Sequence, residues 1–483
     1  MTALQPYPAY RDSGVEWLGE VPEHWEVERL RRCARVLGGV TPSMQVPSYW
    51  GGAIPWVTPK DMKSDAIGDS EIKTTQAALK NTSLRLIDSG AVLIVVRGMI
   101  LAKRVPVAWT TDSVTINQDI KALTPVSGVD VEFLARALRS GQDALLAFVE
   151  VAGHGTRRLP TERWRSLPIV LPPLPEQRAI ARFLDRADRR IRRFIRAKER
   201  LIELLEEQKQ VTINEAVTGR INVRTGKPYP AYRDSGVKWL GKVPEHWEVR
   251  SLKYWLTINR QVLPEDTDPE YAFDYLDIGS IATGRLTAAP ERIRFGDAPS
   301  RARRVVAYGD TIVSTVRTYL KAVWHAGNPG ERLIASTGFA VLTPSRDTAS
   351  RFVSYTCQSD PFTDRVTSES VGIAYPTIAE GRLGTFDVCV PPLSEQTAIA
   401  RYLDQAGRRM QRTISAPQRQ VELLREYRTR LIADVVTGKL DVREAAANLP
   451  EMDPIVRGNQ VDTIQVESNL HASEHDIAEE AGA

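Results

Sequence analysis

Three cysteines in 483 residues leave no disulfide framework to read. Cys33, Cys357 and Cys389 stand far apart and match no metal-ligand spacing. The six histidines, His24, His154, His246, His325, His471 and His475, are equally scattered. No apolar run approaches the ~18 residues a bilayer requires, and AVLIVV at residues 91–96 reads as a buried strand. The opening MTALQPYPAYRDSG has no basic-then-apolar signal pattern. These absences predict a cytoplasmic protein with no membrane partner.

Chemistry-bearing motifs are missing as well. The only approach to a phosphate-cradling loop, Gly226-Lys227, runs into Pro228 and lacks the G-x-x-x-x-G-K-[ST] spacing, so no ATP hydrolysis is expected of this chain. The amino-methyltransferase tetrapeptide, a polar residue before Pro-Pro and an aromatic, is also absent; LPPL and VPPL put apolar residues on both sides. Asp61 or Asp65 with Glu71 and Lys73 resembles an acid–acid–lysine nuclease triplet, but the second half of the chain has no counterpart. No nucleophile, base and orienting acid assemble. The sequence therefore predicts a binder, with no catalytic and no metal-ligating residues. The formal charge of +4 hides an asymmetry: from residue 444 on there are nine acids and one base, Arg457. The body is correspondingly basic, which suits a polyanionic partner. The acidic tail, without sustained periodicity, is expected to be disordered.

What the chain does have is a duplication. YPAYRDSGVEWLGEVPEHWEV (residues 7–27) returns at residues 229–249 with two changes, Glu16 to Lys238 and Glu20 to Lys242. LPPLPEQRAIARFLDR from Leu171 returns as VPPLSEQTAIARYLDQ from Val390, and VTGRINVR from Val217 as VTGKLDVR from Val436. A period near 220 residues is too long for a solenoid and means two copies of a domain-plus-rod unit. The stretch after each Pro-Pro reads as a long helix. Steps of four and three give a coiled-coil seam through Ile180, Leu184, Ala187, Ile191, Phe194, Lys198, Leu201, Leu205 and Gln208. The second seam runs Ile399, Leu403, Ala406, Met410, then Leu424, Tyr427 and Leu431, with Pro417 predicted to kink it. From Glu176 to Ala216 the first rod would be roughly 60 Å long at ~1.5 Å per residue and needs a partner helix; the second rod supplies it.

Each rod follows a globular domain with alternating strand signals. The first domain has candidates at residues 54–57, 91–96, 105–109 and 120–123, then helices at 131–138 and 143–148. The second has them at 275–278, 311–316, 322–325 and 339–342, with RARR (residues 301–304) and GIAYPT (372–377) read as loops. The scaffolding repeats closely while the domains differ, as if each reads a different thing. Basic and amide side chains can hold phosphates or bridge base edges. The candidates in the first domain are Lys60, Lys63, Arg97, Lys103, Arg104, Gln118, Arg157 and Arg158. In the second they are Arg285, Arg301, Arg303, Arg304, Arg317 and Lys321, with the RARR run foremost.

The duplicated PPL-x-EQ-x-AIA-R-[FY]-LD helix start, the VTG helix end and the DSGVxWLGxVPEHWEV block resemble the specificity (S) subunit of type I restriction-modification systems. So do WGGAIPWVTPKDM (residues 50–62), TINQDIKAL (115–123) and ASTGFAVLTP (335–344). The resemblance covers about residues 7–443. It implies an α+β fold: two tandem α+β target-recognition domains separated by two long helices forming an antiparallel coiled coil. The implied plan places an opening segment and the first recognition domain at residues 1–171 and the first spacer helix at 172–220. An opening segment and the second domain follow at 221–390, the second spacer helix at 391–440 and the acidic tail at 441–483. It further implies that each domain reads half of a bipartite, asymmetric site in double-stranded DNA. Two modification (methyltransferase) subunits would dock on the helices, and restriction (ATP-dependent translocase/endonuclease) subunits would join them. S-adenosylmethionine, ATP and Mg2+ would sit on those partners, with no cofactor in this chain. The rival expectation is a fused single-chain nuclease or methyltransferase with its own recognition domains; a third is a scaffold that binds only proteins. Pro417 and the acidic tail depart from the family pattern.

Overall fold

The computed structural model describes residues 4–151, 155–447 and 449. The tail from residue 450 on, with His154, His471 and His475, lies outside them. Contacts divide the chain into two compact units, one built from residues 1–195 and 422–483, the other from 196–421. Each long helix thus contributes to both units.

In the first unit a five-stranded sheet has the order Ala34–Gly38, Ile120–Pro125, Val92–Val95, Val107–Thr110, Ala66–Ile67. The first four pair antiparallel and the last joins parallel. Val92 to Val95 are all buried, which is why that stretch is apolar at every position instead of alternating. A smaller sheet places Trp50–Val57 between Thr115–Ile116 and Lys73–Thr74. Helix Val131–Ser140 starts where the Asp130 carboxylate accepts from Phe133 N–H at 3.0 Å. In the second unit Leu256–Ile258, Phe339–Pro344, Thr311–Ser314 and Val323–His325 form an antiparallel sheet. A second sheet orders Glu291–Arg294, Ala272–Leu276, Leu333–Ser336 and Ala302–Val306. The last of these strands corrects the reading of RARR as a loop. Arg303 and Arg304 sit side by side on a strand whose ends, Ala302 and Val306, are buried.

The rods span Leu174–Val217 and Leu393–Val436, 44 residues each. Both begin just after Pro-Pro, and Pro175 fits in the first turn because its missing N–H would have no partner there. In the first unit Ile180, Leu184 and Ile191 share one buried cluster with Leu431, Val435 and Val436. In the second, Ile213, Ala216 and Val217 share another with Ile399 and Leu403. The seam is not the heptad read from the sequence. After Ile191 the covered positions are Ile195 and Ile213, with Ile202 half-buried between them, while Phe194 and Leu201 lie 48% and 42% exposed. Leu205 is half-buried. Ile180, Ile191, Ile202 and Ile213 recur every eleven residues, or 3.67 per turn, so a strict seven-residue step drifts off the contact face. In the second rod Ile414, Pro417 and Val421 are buried and Tyr427 is exposed; Met410, Leu424 and Leu431 stay on the covered face. Pro417 lies inside an unbroken helical assignment, at a seam position.

The repeated opening block is a clasp between rod ends. In the first unit the Glu176 carboxylate, in the first turn of the first rod, accepts from Tyr7 Oη at 2.7 Å and Trp25 Nε1 at 3.1 Å, and pairs with His24 Nε2 at 2.9 Å. The same block holds the far end of the second rod. Tyr10 Oη donates to Gly438 O at 3.0 Å, and a Cβ on Gly438 would lie 2.4 Å from Pro22. Gly438 also has φ +81, so close approach and backbone conformation both demand glycine at the VTG stop. Asp188 of the first rod pairs with Arg428 of the second. Within this unit the opening block ties Glu176 and Gly438 to one place and Asp188 pairs with Arg428, so the rods run antiparallel. The second unit repeats the device: Glu395 meets Tyr229 Oη (2.9 Å), Trp247 Nε1 (3.1 Å) and His246 Nε2 (2.7 Å), while Tyr232 Oη donates to Gly219 O at 3.0 Å. His24 and His246 are thus partners of a carboxylate, though both side chains stay exposed rather than packed.

The first residues assigned to the tail are folded. Asp441 pairs with Gln5 as an isolated bridge, helix Arg443–Ala447 follows, and Val442 and Ala446 are fully buried in the first unit's core. Leu440, Ala445 and Leu449 pack against the same core, and so short an apolar signal does not stand out against the acids that follow it.

Candidate nucleic-acid interface

In the first unit the central strand, Val92–Val95, is followed by Val96, whose N–H donates to Asp119 O at 2.8 Å. Leu159 N–H donates to Val96 O at 2.9 Å and Gly98 N–H to Arg157 O at 3.0 Å, while Asn117 N–H reaches Val57 O at 3.0 Å. This ladder draws Arg97, Gln118, Arg157 and Arg158 to one edge. The turn carrying Lys60 and Lys63 follows Val57 there, and Lys103 and Arg104 follow the short 3-10 turn Met99–Ala102. All but the half-buried Arg157 are exposed. Arg158 is tied to Glu150 at 3.4 Å, and Gln118 meets the Thr41 hydroxyl. The other cations have no carboxylate within ion-pair reach among the described residues.

The nuclease triplet does not assemble. Asp61 accepts from Thr58 N–H at 2.8 Å, and Lys73 pairs with Asp69. Asp65 lies against Arg139 (2.7 Å) and Arg192 (2.6 Å), with Arg428 at 3.7 Å. Burial raises its carboxyl pKa, but Arg139, Arg192 and Arg428 outweigh that and hold it below the usual range. This aspartate fixes the globular part of the unit to both rods within it. Among the described residues no group of three His, Cys, Asp or Glu is placed to hold a metal ion.

The second unit builds the same ladder from different residues. Ile378 N–H donates to Thr315 O at 2.9 Å and Arg317 N–H to Pro376 O at 2.8 Å. Thr315 N–H reaches Gly338 O at 2.8 Å and Thr337 N–H reaches Arg301 O at 2.7 Å. Arg317 therefore stands where Gly98 stands in the first unit. Gly284 N–H donates to Val323 O at 2.7 Å and Thr283 Oγ1 to Lys321 O at 2.7 Å, which brings Arg285 beside Lys321. The favoured RARR run is largely committed elsewhere. Arg301 faces Asp277 at 3.5 Å, Arg304 pairs with Glu380, and Arg303 stacks on the Phe295 ring at 4.6 Å. Lys321 is held by Asp364 at 2.7 Å. Sequence reasoning missed the exposed apolar side chains at these edges, Met99 in one unit and Tyr319, Ile373 and Tyr375 in the other. The available signal was an Ile and a Tyr inside a Gly/Pro loop, where no strand alternation accounts for them.

A family model described as "Type I restriction modification DNA specificity domain" matches residues 22–204 and 244–423. The chain is 30% identical over 203 residues to the type I restriction enzyme EcoR124I/EcoR124II specificity subunit of Escherichia coli, covering 41% of this chain and 47% of that one. The matched region thus spans about half the length of that relative. The MjaVIII specificity subunit of Methanocaldococcus jannaschii aligns over 436 residues at 21% identity, 88% of this chain and 94% of that one. A chain solved in work on complex assembly and conformational transition of the type I R-M system superposes with a TM-score of 0.64 at 19% identity. It covers 87% of this chain and 99% of that one, which shows a shared fold.

Proposed function

The chain belongs to the type I restriction-modification DNA specificity family, and from that premise we propose that it is the subunit through which such a complex recognises its DNA. Each unit reads one half of a bipartite, asymmetric target, and the rods carry two methyltransferase subunits, which restriction subunits join. The chain itself contributes recognition and no bond-making step; S-adenosylmethionine, ATP and Mg2+ belong to its partners. One observation carries this reading. The two units hold their edges with the same backbone ladder, 96–98 against 157–159 and 315–317 against 376–378, yet present different side chains on it. A constant frame with variable edges suits two readers of two sequences, whereas a purely structural repeat would not need the edges to differ. Fluorescence anisotropy of the complex reconstituted with its methyltransferase subunits tests it. Affinity for duplex DNA should fall steeply with salt, and one bipartite sequence should outcompete bulk DNA by at least ~10³-fold. Equal affinity for all duplexes, or none, would refute the reading.

A further inference from the structure

The loop Ser370–Thr377 of the second unit is fastened at its base. Val371 and Thr377 exchange two backbone bonds of 2.9 Å, and Thr318 Oγ1 donates to Ser370 Oγ at 2.8 Å. Beyond that base Ile373 is fully exposed and Tyr375 is 60% exposed. An apolar tip, fastened at its base and open to solvent, is the kind of surface that marks a binding site. The guanidinium of Arg317 lies over the Tyr375 ring at 4.7 Å. Arg317 also has φ +53 and Lys321 φ +48, two of the three non-glycine residues with positive φ among those described, and they flank one 3-10 turn. Backbone held in this sparsely populated region concentrates at functional sites.

Charge identifies what covers the tip. The carboxylates of the neighbouring helix are taken: Asp364 and Asp360 by Lys321, Glu369 by Arg365 and Arg382. Arg317 keeps an exposed guanidinium with no carboxylate within ion-pair reach among the described residues, as Arg285 does, and of the two it is Arg317 that lies over the aromatic ring of this loop. Its guanidinium lies over the tyrosine ring with no carboxylate competing for its N–H groups, and an arginine fork matches the O6 and N7 acceptors of guanine in the major groove. We propose that the Arg317–Tyr375 stack is the base reader of the second unit, that it selects one guanine in the second half-site, and that the Ile373 side chain packs beside it on the groove floor. The stack fixes the guanidinium before binding, so little side-chain freedom remains to be lost on contact.

This inference rests on the DNA-recognition reading, and the test separates the two. Arg317→Gly is the informative variant, because glycine suits the positive φ and Gly98 already occupies the equivalent place in the first unit. The reconstituted methyltransferase complex is assayed on its own target and on targets changed one base pair at a time. With Arg317→Gly, preference for guanine at one position of the second half-site should fall by roughly 10–100-fold, while selectivity in the first half-site is unchanged. Arg317→Lys should keep the salt dependence and lose the guanine preference. A loss equal across all sequences with a smaller salt slope would mark a phosphate contact and overturn the inference. So would an unchanged pattern. A wild-type complex with no bipartite preference would instead remove the reading beneath it.

Discussion

Removing the Glu176 carboxylate should be among the most damaging single changes in the chain. Its side chain is 7% exposed and satisfies two buried donors, Tyr7 Oη and Trp25 Nε1, besides His24. Glu176→Ala leaves both donors without a partner, and each buried unsatisfied group costs about 1–3 kcal/mol. The favourable charge at the rod's N-terminus is lost as well, about 0.3–1 kcal/mol. Roughly 3–5 kcal/mol of the first unit's stability should disappear. Glu176→Gln keeps one acceptor oxygen and should cost about half as much. The matching Glu395 is 17% exposed, so water can reach the donors it abandons, and Glu395→Ala should cost the second unit only about 2–3 kcal/mol. Urea unfolding followed by tryptophan fluorescence measures both, since Trp25 and Trp247 touch the two carboxylates. A loss below ~1 kcal/mol for Glu176→Ala, or a larger loss for Glu395→Ala, would refute the clasp.

The corrected seam makes a paired prediction for thermal denaturation: Ile191→Lys should cost at least ~3 kcal/mol by burying a charge, while Leu201→Lys should stay within ~0.5 kcal/mol as a surface change. Asp65→Ala strands Arg139 beside Arg136 and should lower the first unit's stability by about 3 kcal/mol in urea titration, whereas Asp65→Glu, with the charge kept, should recover much of it. His325 is pushed down to about 4, by burial first and then by Arg351. Its folded form resists the proton that the unfolded chain accepts, so stability should fall as pH drops from ~6.5 toward 4. His325→Gln should flatten that stretch of the stability–pH profile.

Periodicity and repetition carried most of the fold into the sequence. The duplicated blocks announced two units and two rods, and apolar runs such as residues 91–96 marked the central strands. That the rods pair was legible because a 44-residue amphipathic helix cannot cover its own seam, and their antiparallel sense was implied by the family resemblance. Their register was not. Heptads and eleven-residue repeats coincide for the first three steps from Ile180 and part only after Ile191, so the local pattern could not distinguish them. The clasp was hidden because Glu176 and Trp25 lie 151 residues apart and each has a local explanation, a helix-start acid and a buried aromatic. The edge residues were the least legible. Arginine looks the same in sequence whether it is paired, like Arg304, or open, like Arg317, and only the placement of carboxylates separates the two.

The central claim, one unit for one half-site, meets its most direct test in a domain exchange read by methylome sequencing. Residues 27–171 are replaced by the same region of a relative with a different target, and the chain is expressed with its methyltransferase partner. The account predicts a new first half-site, an unchanged second half-site and an unchanged spacing between them. A change in both halves together, or in neither, would contradict it.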